Sequence, residues 1–385
     1  MTRKLVTIEK VRDLLPIAGA DKIEVAMIKG WPVVVKKSEF SIGDMVCYFE
    51  IDSWVPTEVA PFLTKEGHEP KEFEGVKGER LKTIKLRKQI SQGLVLPLSI
   101  VPNGDSLNEG DDVTEVLGVK KWEMPDNPVP GRQVQAQGIK RFPVFIPKTD
   151  QERIQNYGHM VVNALDEEFE VTMKKDGSSM TVFIVTPESE HYKAAKALSK
   201  QRLSLWEKVK AFFVRKPDEP VYGICSRNIM LPLTGDSNFH KAAAPVLAAM
   251  KEAYAKFEQD SYALQGEVVA PDIQGNYEKV KDVEFHIFDI FNIDKQMYSS
   301  PASRQEAVGI LGLNHVTVLA TGTLRDVLGL PEGEVSVDDV VSKCLTYASG
   351  PGDNAGVMRE GVVFKNCGCD FSFKAISNEY LLKKG

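Results

Sequence analysis

The 385-residue chain is 43% apolar and 26% charged, proportions of a globular protein long enough for two domains, each with its own core. A net charge of −6 excludes a globally basic nucleic-acid binder. No run of eighteen apolar residues offers a membrane span, and Met1-Thr2-Arg3-Lys4 leads into a strand rather than a signal peptide, so a cytoplasmic protein with no membrane partner is expected. Five cysteines (Cys47, Cys225, Cys344, Cys367, Cys369) are an odd number without zinc-ribbon spacing, which fits buried thiols in a reducing compartment.

Residues 1–130 read as all-β. Apolar runs at Leu5–Ile8, Ile23–Ile28, Trp31–Val35, Met45–Ile51 and Leu94–Leu96, separated by Gly, Asp and Pro, predict about five short strands and a small closed barrel, best matched by an OB-fold. Between them, Arg80–Lys88 mixes cations with apolar residues, as a strand facing a nucleic-acid groove would. The three prolines of Lys121–Gly131 mark a linker.

Residues 131–385 alternate strand-like and helical patterns. Phe169, Val171 and Met173 predict a strand that gives way to a turn at Lys174-Lys175-Asp176-Gly177. That is a place to present an amine to a phosphate, provided neighbouring cations, a metal or burial lower a lysine pKa that is ordinarily about 10.4. From Lys193 to Lys216, eight cations face one acid, Glu207, in a stretch of helical composition that could follow a phosphate backbone. Val221–Asn228 ends in Ser226-Arg227, and Ala242–Phe257 has the spacing of a packing helix. Three more strand-like runs carry Gln265-Gly266-Glu267, Phe285 with Phe288, and Glu360-Gly361 through Lys365, before Ser372–Tyr380 closes the series. Each has an ordinary reading as well: Asp176-Gly177 is a turn signal, Phe285 and Phe288 alternate like core residues, and Glu267, Glu360, Arg227 and Lys374 could be solvated charges.

Taken in order, these segments resemble the covalent nucleotidyltransferase superfamily of ATP-dependent ligases and capping enzymes, and within it the RNA ligases. The resemblance spans residues 140–383. It implies an α+β fold, an N-terminal OB-like β-barrel followed by a domain of two antiparallel sheets flanked by helices. It also implies an enzyme that uses ATP and Mg2+ or Mn2+ to seal 3′-hydroxyl/5′-phosphate breaks in nicked duplexes or broken RNA ends, expected as a monomer. Carried over residue by residue, Lys174 is the amine that becomes adenylated, Asp176 lies near metal and phosphates, and Lys374 grips the α-phosphate. Arg153 meets the leaving pyrophosphate, Arg227 the ribose or the substrate phosphate, and Glu267 the ribose hydroxyls or a metal-bound water. Phe285 stacks on adenine, with Phe288 as the second choice, and Glu267 and Glu360 serve the metal. Lys175→Ala should therefore retain most covalent labelling.

An N-terminal barrel matches RNA ligases of bacteria, phages and some protists, whereas DNA ligases and capping enzymes usually carry theirs after the last motif. Only eleven residues follow Lys374. One departure stands out, because the family commonly ends with Lys-x-Lys and this chain has Lys374-Ala375-Ile376. Lys365, Lys383 or Lys384 supplies the second cation, or pyrophosphate is held more weakly, or the register shifts so that Ser372 takes the first place and Lys374 the second. Two rivals remain at this point: a GMP-transferring capping enzyme, and an RNA-binding protein with a decayed catalytic domain.

Overall fold

A computed structural model describes residues 4–122, 140–199, 218–257, 260–369 and 371–384. Most of the expected linker, and the basic stretch beyond Ser199, lie outside the described residues.

The first domain is an all-β unit, as expected. Its main sheet is antiparallel, in the order Leu94–Pro97, Met45–Phe49, Val6–Pro16, Ile23–Ile28, Trp31–Lys36. The first strand runs much further than its apolar start suggests, and a register shift between Val11 and Asp13 bends it. One half packs Val6, Ile8, Cys47 and Phe49 into one core, and the other half packs Val11, Ala26, Trp31 and Tyr48 into a second. Lys29 and Gly30, at φ 53° and 77°, form the two-residue turn that a right-twisted hairpin favours. Gly30 serves a second purpose, since a Cβ there would lie 2.6 Å from Val341 Cγ1 of the second domain. Beside it, the Arg153 guanidinium sits 5.1 Å from the centre of the Trp31 ring.

The second domain is built on two sheets. The larger is ordered Lys140–Arg141, Ile229–Leu231, Val221–Ser226, Ser178–Val185, Tyr262–Val269, Glu284–Asn292, Met297–Tyr298, with Asn314–His315 added alongside Glu284–Asn292. Helix Asn238–Phe257 covers it, laying Ala242, Ala243, Val246 and Met250 on Met180, Val182, Ile184 and Leu264. The smaller sheet runs Glu152–Arg153, Ser372–Ile376, Gly361–Asn366, Glu168–Lys174, Val318–Thr323. Helices Ile154–Asn163 and Val337–Ala348 bury Phe169, Val171, Phe364 and Phe373 against its outer face. Pairing is antiparallel except for the two-residue contacts of Glu152–Arg153 and Asn314–His315.

Glu170 alternates with Phe169 and Val171 yet is fully buried, because the inner face of this strand is covered too. Arg304 donates to its carboxylate, and Gln305 Nε2 donates to the other oxygen at 2.5 Å. An unpaired buried charge would be costly, so these contacts are a condition of the packing. No helix among the described residues is long and apolar enough to cross a membrane.

Candidate active site

Strand Glu168–Lys174 belongs to the smaller sheet and Ser178–Val185 to the larger, so the intervening turn carries the chain across and leaves Lys174 in the cleft. The turn must hug the neighbouring strand. A Cβ on Gly177 would lie 2.3 Å from the Val268 carbonyl oxygen and 2.9 Å from Glu267 Cγ, which only glycine avoids. Glu278, nearly inaccessible, accepts the Asp176 backbone N–H at 3.0 Å, and the Tyr380 hydroxyl bonds the Asp176 side chain. Lys175 is as buried as Glu278. It lies 3.4 Å from Glu278 and is also paired with Asp353, whose other oxygen accepts from Thr317 Oγ1 at 2.8 Å. The two adjacent lysines thus have opposite fates: Lys175 locks the turn, and Lys174 reaches the cleft.

Lys174 Nζ donates to Glu360 Oε2 at 2.8 Å, a contact set by the pairing of Lys174 with Gly361 on the next strand. Burial works to lower the Lys174 pKa, but Glu360, Glu267 and Asp176 outweigh it and hold the value above that of an ordinary lysine. The depression expected from neighbouring cations is therefore not produced at Lys174 by the protein's own groups, among which carboxylates dominate. Those carboxylates feel the same burial. Glu267 is pushed up to about 7, chiefly by burial and partly by Glu360 and Asp176, against the pull of Lys174. Glu360 is raised as well, by burial first. Opposite them, burial and the charges of Lys174 and Arg153 bring Lys374 down to about 7.

The cleft encloses a cavity of about 580 Å3 whose lining includes Lys174, Glu267, Arg227, Phe288, Lys365 and Lys374. Asp176, Glu360 and Arg153 are not part of that lining but are coupled by charge to Lys174 or Lys374. Arg227 is 66% exposed at the mouth and ion-paired with Asp150, and Lys148 reaches Asn228 Oδ1 at 3.2 Å next to it.

Phe285 requires a correction. It is a core residue packed on the helical side of the larger sheet, its ring filling the space that the absent Gly266 side chain leaves free. A register shift between Gln265 and Gly266, opposite Phe288, breaks the alternation of its strand, and Phe288 is the aromatic that lines the cavity. Lys365 does line the cavity, but its amine is engaged within the protein. Its Nζ donates at 2.5 Å both to Asp289 Oδ1 and to the Phe288 carbonyl oxygen, and Arg304 joins the same cluster 3.7 Å from Asp289. Ile376 is buried opposite Gly361, and Lys383 is exposed on helix Asn378–Lys384.

Sequence reasoning missed the residues that hold the Lys174 turn. Tyr380 carried a faint signal as the aromatic after Asn378. Glu278 and Asp353 carried none, since each lies over a hundred residues away in a polar loop.

Among the described residues, no group of three or more His, Cys, Asp or Glu forms a ready-made metal centre. Glu267 and Glu360 nevertheless fit magnesium or manganese. Two half-buried carboxylates, both pushed upward in pKa, are a local excess of anionic oxygen that a hard cation relieves, and such ions keep most of their ligands as water or phosphate.

Comparison with known proteins completes the picture. Residues 5–98 match a family described as an OB-fold domain, and residues 167–376 match the RNA ligase family. Among solved structures, a lysine-to-alanine mutant of Naegleria gruberi RNA ligase with ATP and Mn is 37% identical, with 99% of each chain covered and a TM-score of 0.72. The same enzyme with PPi is 38% identical over 99% of each chain, TM-score 0.71, and a glutamate-to-alanine mutant with AMP and Mn is 38% identical over the same share, TM-score 0.72. No curated protein matches.

Proposed function

We propose that this chain, which belongs to the RNA ligase family, seals 3′-hydroxyl/5′-phosphate breaks in RNA through a covalent lysyl-AMP on Lys174 and acts in nick repair. The observation that carries the reading is Lys174 Nζ at the cavity wall, 2.8 Å from Glu360 and facing Glu267 and Lys374, in a chain matched end to end by an RNA ligase. ATP is the AMP donor, and Mg2+ or Mn2+ the metal, as in the relatives crystallised with ATP or AMP and Mn. Glu267 and Glu360 would hold the metal, which when bound supplies Lewis-acid stabilisation of charge on the α-phosphate.

In the first step the Lys174 amine attacks the α-phosphorus, a P–N bond forms, and the bond to the β-phosphate oxygen breaks. Pyrophosphate leaves with the bonding electrons. Glu360 Oε2, the hydrogen-bond acceptor of Nζ, aims the amine at the phosphorus, and the amine's proton passes to solvent. Lys374 neutralises the α-phosphate and Arg153 the departing pyrophosphate, while Asp176 keeps the turn in register. In the second step an oxygen of an RNA 5′-phosphate attacks the lysyl-AMP, and the amine leaves and is reprotonated. Arg227 guides that phosphate at the mouth. In the third, a neighbouring 3′-hydroxyl attacks the activated phosphorus and AMP departs. Because catalysis here is positioning and charge stabilisation, the cationic and acidic cluster is the machinery itself.

Phe288 carries the adenine by stacking. Phe288→Ala should raise the KM for ATP in adenylation by about tenfold, the worth of one lost aromatic contact. Phe285→Ala should leave KM unchanged and cost about 3–5 kcal/mol of stability in urea unfolding. The opposite pattern would return the stacking role to Phe285.

The OB domain is assigned to residues 1–130 and the adenylyltransferase domain to 131–385, supported by the separate cores of the first unit and by the two family matches. Cytoplasmic location, in keeping with five free thiols, and monomeric action complete the reading. The deciding experiment is incubation with α-labelled ATP or GTP plus magnesium or manganese, followed by mass mapping. An ATP-specific adduct on Lys174 is expected. GTP labelling would indicate capping chemistry, and absence of any adduct on folded protein would overturn the reading.

A further inference from the structure

Residues 80–91 hold five cations, Arg80, Lys82, Lys85, Arg87 and Lys88, and no acid, in a chain whose net charge is −6. Arg80 is committed to structure, being paired with Asp52 at 2.5 Å and lying 3.6 Å from the centre of the Trp122 ring. The rest form a short hairpin, strand Ile84–Leu86 against Gln89–Ser91, turned at Arg87 and Lys88 with φ of 49° and 69°. Its feet are fixed in the barrel. Leu81 N–H bonds the Ser53 carbonyl at 2.8 Å, Ser91 Oγ accepts from Val34 N–H at 2.9 Å, and Ile90 is buried. Its outer part is bare: Lys82, Lys85, Leu86, Arg87 and Lys88 are exposed, and Ile84 is 49% exposed. Among the described residues, no carboxylate pairs with Lys82, Lys85, Arg87 or Lys88.

Position adds a second argument. Lys85 Nζ donates to the Leu382 carbonyl oxygen, and the strand Gln89–Ser91 packs on helix Asn378–Lys384. The same helix presents Tyr380 to Asp176 beside the nucleophile. The hairpin therefore stands one helix away from the turn that bears Lys174, on a rigid mount, showing unpaired cations and two aliphatic side chains to solvent.

We infer that this hairpin is a docking element for the RNA duplex that flanks the break: Lys82, Arg87 and Lys88 take backbone phosphates, and Ile84 and Leu86 pack on the ribose edges of the shallow minor groove. A docking partner made of protein would need acidic complementarity with an apolar centre, whereas phosphates match isolated cations spaced along an exposed edge. The inference rests on the reading of the chain as an RNA-sealing enzyme and adds where the duplex lies, outside the nucleotide cavity.

The test uses the full chain and a nicked RNA duplex of about two helical turns, with binding followed by fluorescence anisotropy across a salt series, apart from any chemistry. The triple variant Lys82→Gln, Arg87→Gln, Lys88→Gln should bind the duplex about 10- to 100-fold more weakly, with the slope of log K against log salt reduced by about two to three. Its ATP adenylation should stay at the wild-type rate, because no hairpin residue lines the cavity. The control triple Lys22→Gln, Lys36→Gln, Lys37→Gln removes the same charge from exposed positions elsewhere on the barrel and should lose much less. Equal losses in the two triples, or an unchanged affinity and slope in the hairpin triple, overturn the inference. Failure of the wild-type protein to adenylate would instead count against the enzymatic reading, and the anisotropy arms separate the two. Ile84→Ser with Leu86→Ser should weaken binding a fewfold at unchanged salt slope, and a change in slope without loss of affinity would contradict their assigned role.

Discussion

Lys174→Ala is expected to lower covalent AMP labelling by at least about a thousandfold, while sealing of RNA that already carries a 5′-adenylate persists. The amine is consumed only in the first step, so a substrate supplied in activated form bypasses it. Lys175→Ala should behave in the opposite sense. Leaving the buried Glu278 without its cation costs about 3–5 kcal/mol of stability, measured in urea, yet each molecule still folded in the cold should label within about tenfold of wild type. Had Lys175 been a bystander, as a surface turn would make it, stability would not change. Loss of labelling in Lys175→Ala with retained stability would instead make it the nucleophile.

That contrast shows what was legible in the chain. The strand and turn around Lys174 were, because period-two apolar spacing and Asp-Gly are local signals. So were the barrel strands, whose apolar runs are bounded by Gly, Asp and Pro. Hidden were features that depend on the two sheets facing each other. Glu170 looks like the solvent side of a strand, but Arg304 and Gln305 cover it from a helix more than a hundred residues away. Phe285 and Phe288 stand three residues apart on one strand and so face opposite sides of the sheet, and only the packing of helix Asn238–Phe257 and of the smaller sheet decides which side is the cavity. Lys365 reads as a spare phosphate ligand, and nothing local in the chain announces that its Nζ bonds Asp289 and the backbone of Phe288. The direction of the Lys174 shift was equally out of reach, since it depends on three carboxylates brought together from three separate segments.

Lys374 offers the sharpest test of a site built for charge. Burial, with the charges of Lys174 and Arg153, brings it down to about 7, so keeping it protonated works against folding. Between about 7 and the ordinary lysine range the unfolded chain binds more protons than the folded one, and stability therefore rises with pH across that window. Below pH 7 the cost is fully present. Lys374→Met should accordingly stabilise the fold by about 1–3 kcal/mol at pH 6, with the advantage fading toward pH 10, as measured by parallel urea titrations. Adenylation by the same variant should fall about 10²- to 10³-fold, because a preorganised cation at the α-phosphate is lost. Phosphate entry reverses the balance, giving Lys374 the anionic partner that burial denied it. A variant that loses both stability and activity would show Lys374 to be a structural cation. One that gains stability while losing chemistry would show that its folding cost is retained for the phosphate it meets.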